Sequence, residues 1–272
     1  MRSGLRLRRN VVILGVVIIA ATLCAITWWI SDLLAQTAVV DRVATCTQTQ
    51  CFCEQAAGFF PGQVMNSISS FSFIILGVAA QLLAKPAPGT RERSLTGFLA
   101  ATMVFIGASS FFYHSTLSFV GQFLDIFSMY TFGLLLFVGA LYRSGHLRAR
   151  PAVIGFIVAS VLLGVLQYFY PDARRILFVV VLLPGIILEL TRFVTGYRLW
   201  SRKMWAIGAG LILMVLAYVT WILDQTAAFC APSSLIQGHA IWHTLGAIAA
   251  FLVVVHYRRT KHVRVPSSHM SR

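Results

Sequence analysis

Charged side chains are scarce in this sequence. Asp, Glu, Lys and Arg make up 11% of its residues, whereas a soluble domain carries about 25%. The apolar residues, 58% of the chain, come in long blocks, so a large soluble core does not account for them. The sequence also has no Walker loop, no dinucleotide fingerprint and no Gly-x-Ser-x-Gly elbow, which disfavours the enzyme classes that need them.

Eight apolar runs have the length of about 20 residues that a helix needs to cross a bilayer. None shows the strict alternation of a barrel strand, so helices are the remaining way to span a membrane. The sequence therefore predicts an all-α integral membrane protein with eight transmembrane helices. The runs are 11–31, 63–84, 95–114, 122–142, 152–170, 176–193, 204–223 and 238–257.

Acidic residues are fewer still, 8 against 22 Lys and Arg. When successive gaps between the runs are placed on alternating sides, 19 basic residues fall on one side and three on the other, Arg42, Arg174 and Arg175. This bias follows the positive-inside rule and predicts that both termini are cytoplasmic. Topology thus explains the net charge of +14, so we expect no nucleic-acid partner. The bias and the modest length fit a bacterial inner membrane.

The first run follows the basic stretch MRSGLRLRRN, which leaves two interpretations. Its apolar part is about 20 residues, longer than the about 7–15 of a signal-peptide core, and this favours a retained anchor. Cleavage as a signal peptide is the alternative and would leave seven helices.

Four of the five cysteines fall on the predicted non-cytoplasmic side. In an oxidising compartment four cysteines indicate two disulfides, with three possible connectivities. A metal cluster built from Cys51 and Cys53 is the alternative, but it lacks a histidine nearby in sequence. The four are Cys46, Cys51, Cys53 and Cys230.

Ionisable residues inside spanning segments are costly and usually functional. His114 lies near the outer end of the third run, His239 and His243 lie in the first two turns of the eighth, and Asp125 opens the fourth. The predicted topology therefore places all four in the outer half of the membrane. Three histidines are a common ligand set for catalytic zinc, with the fourth position left to a water that becomes the nucleophile.

Two further roles near these histidines stay open. Ser110 is four residues before His114 and shares its helix face, so its hydroxyl could donate to an oxyanion or simply bond back to its own helix. Asp125 could act as general base and acid, orient the ligands, or only cap the fourth helix.

The remaining ionisable groups receive simpler interpretations. Asp224 is either an interfacial residue or a group that supports the ligands, and Glu189 is expected to pair with Arg192 at i, i+3. The other four histidines are interpreted as solvated or interfacial: His146, His256, His262 and His269.

Three stretches in order carry a family resemblance: CEQAAGFFPGQVMNSISSFSFIILG, GASSFFYHSTLSFVGQFLDIFSMY and DQTAAFCAPSSLIQGHAIWHTLGA. Together they resemble the alkaline ceramidase family, within the CREST superfamily of membrane hydrolases. The likeness covers the chain from about residue 51 to 257.

The resemblance implies a seven-helix bundle with an intramembrane zinc site, to which this chain adds one N-terminal helix. The expected zinc ligands are His114, His239 and His243. The expected catalytic residues are Ser110 and Asp125, and the expected family disulfide joins Cys53 to Cys230. The expected organisation is a cytoplasmic N-terminus and extra anchor (1–34), a hydrolase domain (35–257) and a basic cytoplasmic tail (258–272).

The calcium site of the eukaryotic family members is not preserved here. Cys51, Ala56 and Gln63 stand where that family has Asp, Asn and Glu, and only Glu54 is retained. The resemblance therefore predicts no calcium site, or a weak one.

The implied activity is zinc-dependent hydrolysis of the N-acyl bond of ceramide or a related lipid amide, giving a sphingoid base and a fatty acid. The bilayer would deliver this lipid substrate to a site on the non-cytoplasmic side. A receptor-like or scaffolding protein with a structural zinc, closed by Asp125, is the main alternative. A transporter or proton relay ranks last, because the inner helix halves offer little beyond His256.

Overall fold

The computed structural model describes residues 2–46, 52–83, 91–196, 205–228 and 230–259. Within them the chain forms eight α-helices, in the order and positions of the eight predicted runs. They are α1 (Arg2–Ala35), α2 (Val64–Leu83), α3 (Arg91–Thr116), α4 (Phe119–Arg143), α5 (Ala149–Phe169), α6 (Arg174–Gly196), α7 (Trp205–Gln225) and α8 (Gly238–Arg259).

Seven of these helices are long and apolar enough, over their described residues, to cross a membrane. The chain is therefore a multi-pass, all-α membrane protein, as predicted. The exception is α6, which has 23 residues but carries Arg174, Arg175 and Glu189.

Helices α4 and α8 form the centre of the bundle. One buried cluster joins them to α2 and α3 and contains Leu99, Met103 and Val254. A second joins them to α6 and α7 and contains Tyr130 and Trp242. In contrast, α1 packs on α2 and α3 only at the periphery, and most of its apolar side chains are exposed. Such a surface suits lipid, which solvates apolar side chains.

Glycines let α2 and α3 approach closely. A Cβ atom at Gly107 would lie 2.9 Å from the Ser70 carbonyl oxygen, and one at Gly77 would lie 2.9 Å from that of Ala100. Small residues at such crossings are typical of membrane bundles, where van der Waals packing drives helix association.

A buried charged cluster joins α4, α6 and α8 at their predicted cytoplasmic ends. Arg143 Nη1 lies 3.1 Å from Glu189 Oε1, and His256 Nε2 lies 3.7 Å from Glu189 Oε2. The Arg143 guanidinium also covers the Tyr257 ring at 4.0 Å. His256 is not solvated, because only 4% of it is exposed. Glu189 pairs across helices, and the Arg192 side chain lies outside the described residues.

Removing the anion from this cluster is expected to destabilise the fold. Glu189→Leu leaves the Arg143 guanidinium buried without its carboxylate, which costs on the order of 3 kcal/mol in the free energy of unfolding. Thermal unfolding in detergent should therefore give a lower Tm for this variant than for the wild type.

The matched control removes both charges. Arg143→Met combined with Glu189→Leu leaves no uncompensated guanidinium and should recover much of the lost stability. A double variant no more stable than Glu189→Leu alone would contradict the ion-pair explanation.

Candidate active site

The three histidines predicted to bind a metal lie together at one end of the bundle. His114 is in the last turn of α3, and His239 and His243 are in the first two turns of α8. One ligand atom from each lies within 4.8 Å of the others, and all three residues are buried. The convergence predicted from the charge pattern is confirmed.

Polar groups at the start of α2 orient two of these rings. His114 Nδ1 lies 2.8 Å from Gln63 Oε1, and His243 Nδ1 lies 3.1 Å from the Asn66 carbonyl oxygen and 2.8 Å from Ser69 Oγ. Because both carbonyl oxygens accept, each Nδ1 carries the proton and each Nε2 keeps its lone pair.

The residues present fit a metal ion. His114 Nε2 and His239 Nδ1 are buried and have no hydrogen-bond partner among the described residues. Unpartnered buried nitrogens are rare, and a metal would use their lone pairs. Three imidazoles suit zinc, and the carbonyl and hydroxyl partners of His114 and His243 are the usual orienting groups of such ligands.

The backbone explains how Gln63 reaches His114. The amides of Gly62 and Gln63 donate to the carbonyl oxygens of Ser115 and His114, at 2.8 and 2.9 Å. These carbonyls belong to the last turn of α3, whose carbonyls lack helical partners. A Cβ atom at Gly62 would lie 3.1 Å from Ser115 O, so glycine permits the approach.

Sequence reasoning missed this role of Gln63. It treated Gln63 only as a lost calcium ligand, although the position also places a polar residue one turn before Asn66 at the start of an apolar run. That signal, a second polar side chain on the same face, could have indicated a partner for a histidine.

Ser110 and Asp125 adjoin the histidines. Ser110 Oγ lies 3.3 Å from His243 Nε2, and Ser110 and Asp125 line the same cavity. The alternative that Asp125 merely caps α4 was wrong, because α4 begins six residues earlier and Ser118 is its N-cap, accepting from Gly121 N.

Asp224 lies near the end of α7 and is buried, which favours the interpretation that it supports the ligands. Its Oδ1 accepts from the His239 amide and its Oδ2 from the Cys53 amide, both at 3.1 Å. Cys53 in turn forms the expected disulfide with Cys230. Cys46 is also disulfide-bonded, whereas Cys51 lies outside the described residues.

Glu54, the retained calcium-site residue, serves the start of α2. Its two carboxylate oxygens accept from the amides of Met65 and Asn66, at 2.6 and 2.8 Å. Burial raises the pKa of this carboxyl, and the two amide donors oppose that rise.

A cavity of about 50 Å³ opens beside the histidines. One water molecule needs a cavity volume of about 10–15 Å³ on the same scale, so this cavity has room for a few water-sized groups. Ser110, Asp125, His239 and His243 line it together with apolar and aromatic side chains. The cavity can therefore place a polar reacting group against the candidate residues while apolar walls receive hydrocarbon.

Comparisons with known proteins identify the family of this chain. The model of the ceramidase family matches residues 45–269. The human protein named alkaline ceramidase 1 is 27% identical over 222 residues, which cover 76% of this chain and 78% of that protein. The Drosophila melanogaster alkaline ceramidase is 24% identical over 226 residues, covering 71% of this chain and 69% of that protein. With most of its length matched, the chain belongs to the ceramidase family.

Proposed function

We propose that this protein is a zinc-dependent amide hydrolase that cleaves the N-acyl bond of ceramide or a closely related lipid amide within the membrane. Membership in the ceramidase family supports ceramide hydrolysis. The observation that carries the zinc-dependent part is the buried histidine cluster with its unpartnered ring nitrogens. The 19-to-3 charge bias supports a site on the non-cytoplasmic side of a cell membrane, with both termini cytoplasmic.

His114, His239 and His243 would hold the zinc, which when bound supplies a Lewis acid and lowers the pKa of a coordinated water. The chain's own residues then have distinct tasks. Asp125 takes the proton that the attacking water loses and delivers it to the departing amide nitrogen. The acyl carbon keeps the water oxygen and leaves as a fatty acid, while the nitrogen leaves as the amine.

Ser110 would stabilise the charge that develops on the carbonyl oxygen. Its hydroxyl shares the cavity with Asp125 and His243, so it can donate to an oxygen bound between them. The apolar walls exclude bulk water and strengthen this hydrogen bond.

A structural-zinc scaffold is the weaker candidate. Such a site needs a fourth protein ligand, and among the described residues the group able to hold a metal comprises only the three histidines. Asp125 is outside that group, so the fourth position is available for chemistry.

Zinc analysis of the detergent-purified protein tests the metal site. The wild type should contain about one zinc per chain, and the double variant His239→Ala, His243→Ala should contain almost none, because one remaining imidazole binds weakly. The control His146→Ala removes an exposed histidine and should keep the zinc. A folded wild type without metal would refute the proposal.

Asp125→Asn separates catalysis from metal binding. The amide cannot accept the proton, so turnover of ceramide should fall by about 10²–10⁴-fold while zinc content stays unchanged. Asp41→Asn, which changes an exposed carboxylate, should retain activity. Zinc loss in Asp125→Asn, or full activity, would rule out the assigned role.

Gln63→Leu tests the support of His114. Without the amide oxygen, His114 Nδ1 loses its acceptor, and zinc affinity should fall by about 10–100-fold in a chelator competition. Gln63→Glu retains an acceptor oxygen and should keep most of the affinity. Gln167→Leu is the matched control, because Gln167 is also buried but bonds Phe123 O on α4. Equal losses in both leucine variants would argue for a packing effect.

A further inference from the structure

The wall of the active-site cavity carries hydrogen-bond donors that lack acceptors. The Tyr113 hydroxyl and the Trp221 indole nitrogen are buried, and neither has a hydrogen-bond partner among the described residues. Both residues line the cavity, and Tyr113 is only 2% exposed. Because buried donors are nearly always paired, these two indicate a ligand rich in acceptor oxygens.

Two arginines line the same cavity. Arg174 and Arg175 open α6, whose first turn contains no acidic residue. Adjacent cations repel each other, and a helix N-terminus disfavours positive charge. An anion bound beside these two guanidinium groups would offset both effects.

The two arginines differ in the contacts that their guanidinium groups make. Arg174 donates to the Pro171 carbonyl at 2.9 Å and pairs with the exposed Asp172 at 3.3 Å. The half-buried Arg175 guanidinium lies 6.0 Å from the Trp221 ring centre. It has no ion-pair partner within the part of the chain that the structure describes. The third basic residue of this predicted side, Arg42, stacks on Phe119 at 3.7 Å and does not line the cavity.

Ceramide does not account for these groups, because its headgroup offers only neutral hydroxyls. Among the described residues that line the cavity, Asp125 is the only carboxylate. A guanidinium binds the paired oxygens of a phosphate or sulfonate through parallel hydrogen bonds. The donors of Tyr113 and Trp221 can satisfy further oxygens of the same group.

We propose that the preferred substrate is a lipid amide with an anionic oxyacid headgroup, a phosphate ester or a sulfonate, which Arg175 binds. This inference rests on the proposed amide hydrolysis and narrows its substrate class. The same bond is cleaved, and the headgroup sets which lipid enters.

Paired substrates test the inference. Purified full-length protein in neutral detergent is given an N-acylsphingosine and its 1-phosphate with the same acyl chain. The wild type should cleave the phosphate form with a kcat/KM about tenfold higher or more. Arg175→Gln should abolish this preference, so that the two kcat/KM values become equal within about twofold. Arg42→Gln, the matched control, should keep the preference.

Binding supplies a readout that does not need turnover. The Asp125→Asn variant should bind the phosphate lipid about tenfold more tightly than the neutral lipid, as measured by the rise in Tm that each lipid causes. Adding Arg175→Gln should make the two affinities equal. Equal binding would overturn the headgroup inference while leaving ceramide hydrolysis intact. Headgroup-selective binding without any turnover by the wild type would refute the proposed hydrolysis instead.

A third arm separates substrate from surrounding lipid. Anionic phospholipid is added to the micelles with the neutral substrate. Suppose the phospholipid raises turnover by the wild type but not by Arg175→Gln, and the wild type does not prefer the phosphate substrate. Arg175 then binds a bilayer headgroup, and the proposal is wrong. A phosphate preference that persists without added phospholipid supports it.

Discussion

The interaction on which the rest of the site depends is the hydrogen bonding of buried imidazoles to the start of α2. These rings are buried, so bulk water does not satisfy their nitrogens, and each nitrogen needs a protein partner or a metal. The Gln63 side chain accepts a hydrogen bond from His114 Nδ1, and the Asn66 carbonyl accepts one from His243 Nδ1. These bonds fix the orientation of each ring on its helix face, so the Nε2 atoms of His114 and His243 point towards the histidine cluster.

Two carboxylates accept hydrogen bonds at the start of α2, which orients two of these rings, and at the start of α8, which carries two of them. Glu54 accepts the amides at the start of α2, and Asp224 accepts the amide of His239 at the start of α8. Both occupy helix N-termini, where an anion is favoured by the unpaired amides and the helix dipole. Asp224, on α7, also accepts the Cys53 amide, so hydrogen bonds connect the segment that contains Glu54 to α7 and the disulfide connects it to the loop between α7 and α8.

The helices and the histidine cluster could be predicted because they depend on patterns along the chain. The lengths of the apolar runs predict the helices. The distribution of Arg and Lys predicts that His114, His239 and His243 lie at the same end of the bundle. Contacts that depend on helix rotation could not be predicted: Glu189 pairs with Arg143 and His256, which lie on other helices. Asp125 was ambiguous because α4 begins earlier than its apolar run, at a cap formed by Ser118.

The site joins residues that are far apart in the chain, and this has a consequence for biosynthesis. Asn66 and His243 are separated by 177 positions, so ribosomes release the first half of the site long before α8 exists. During that interval Ser110 and His114 lack the two histidines that α8 contributes. A truncated chain that lacks α8 can therefore insert most of its helices yet have no assembled histidine cluster, and a cell is spared lipid cleavage by incomplete chains.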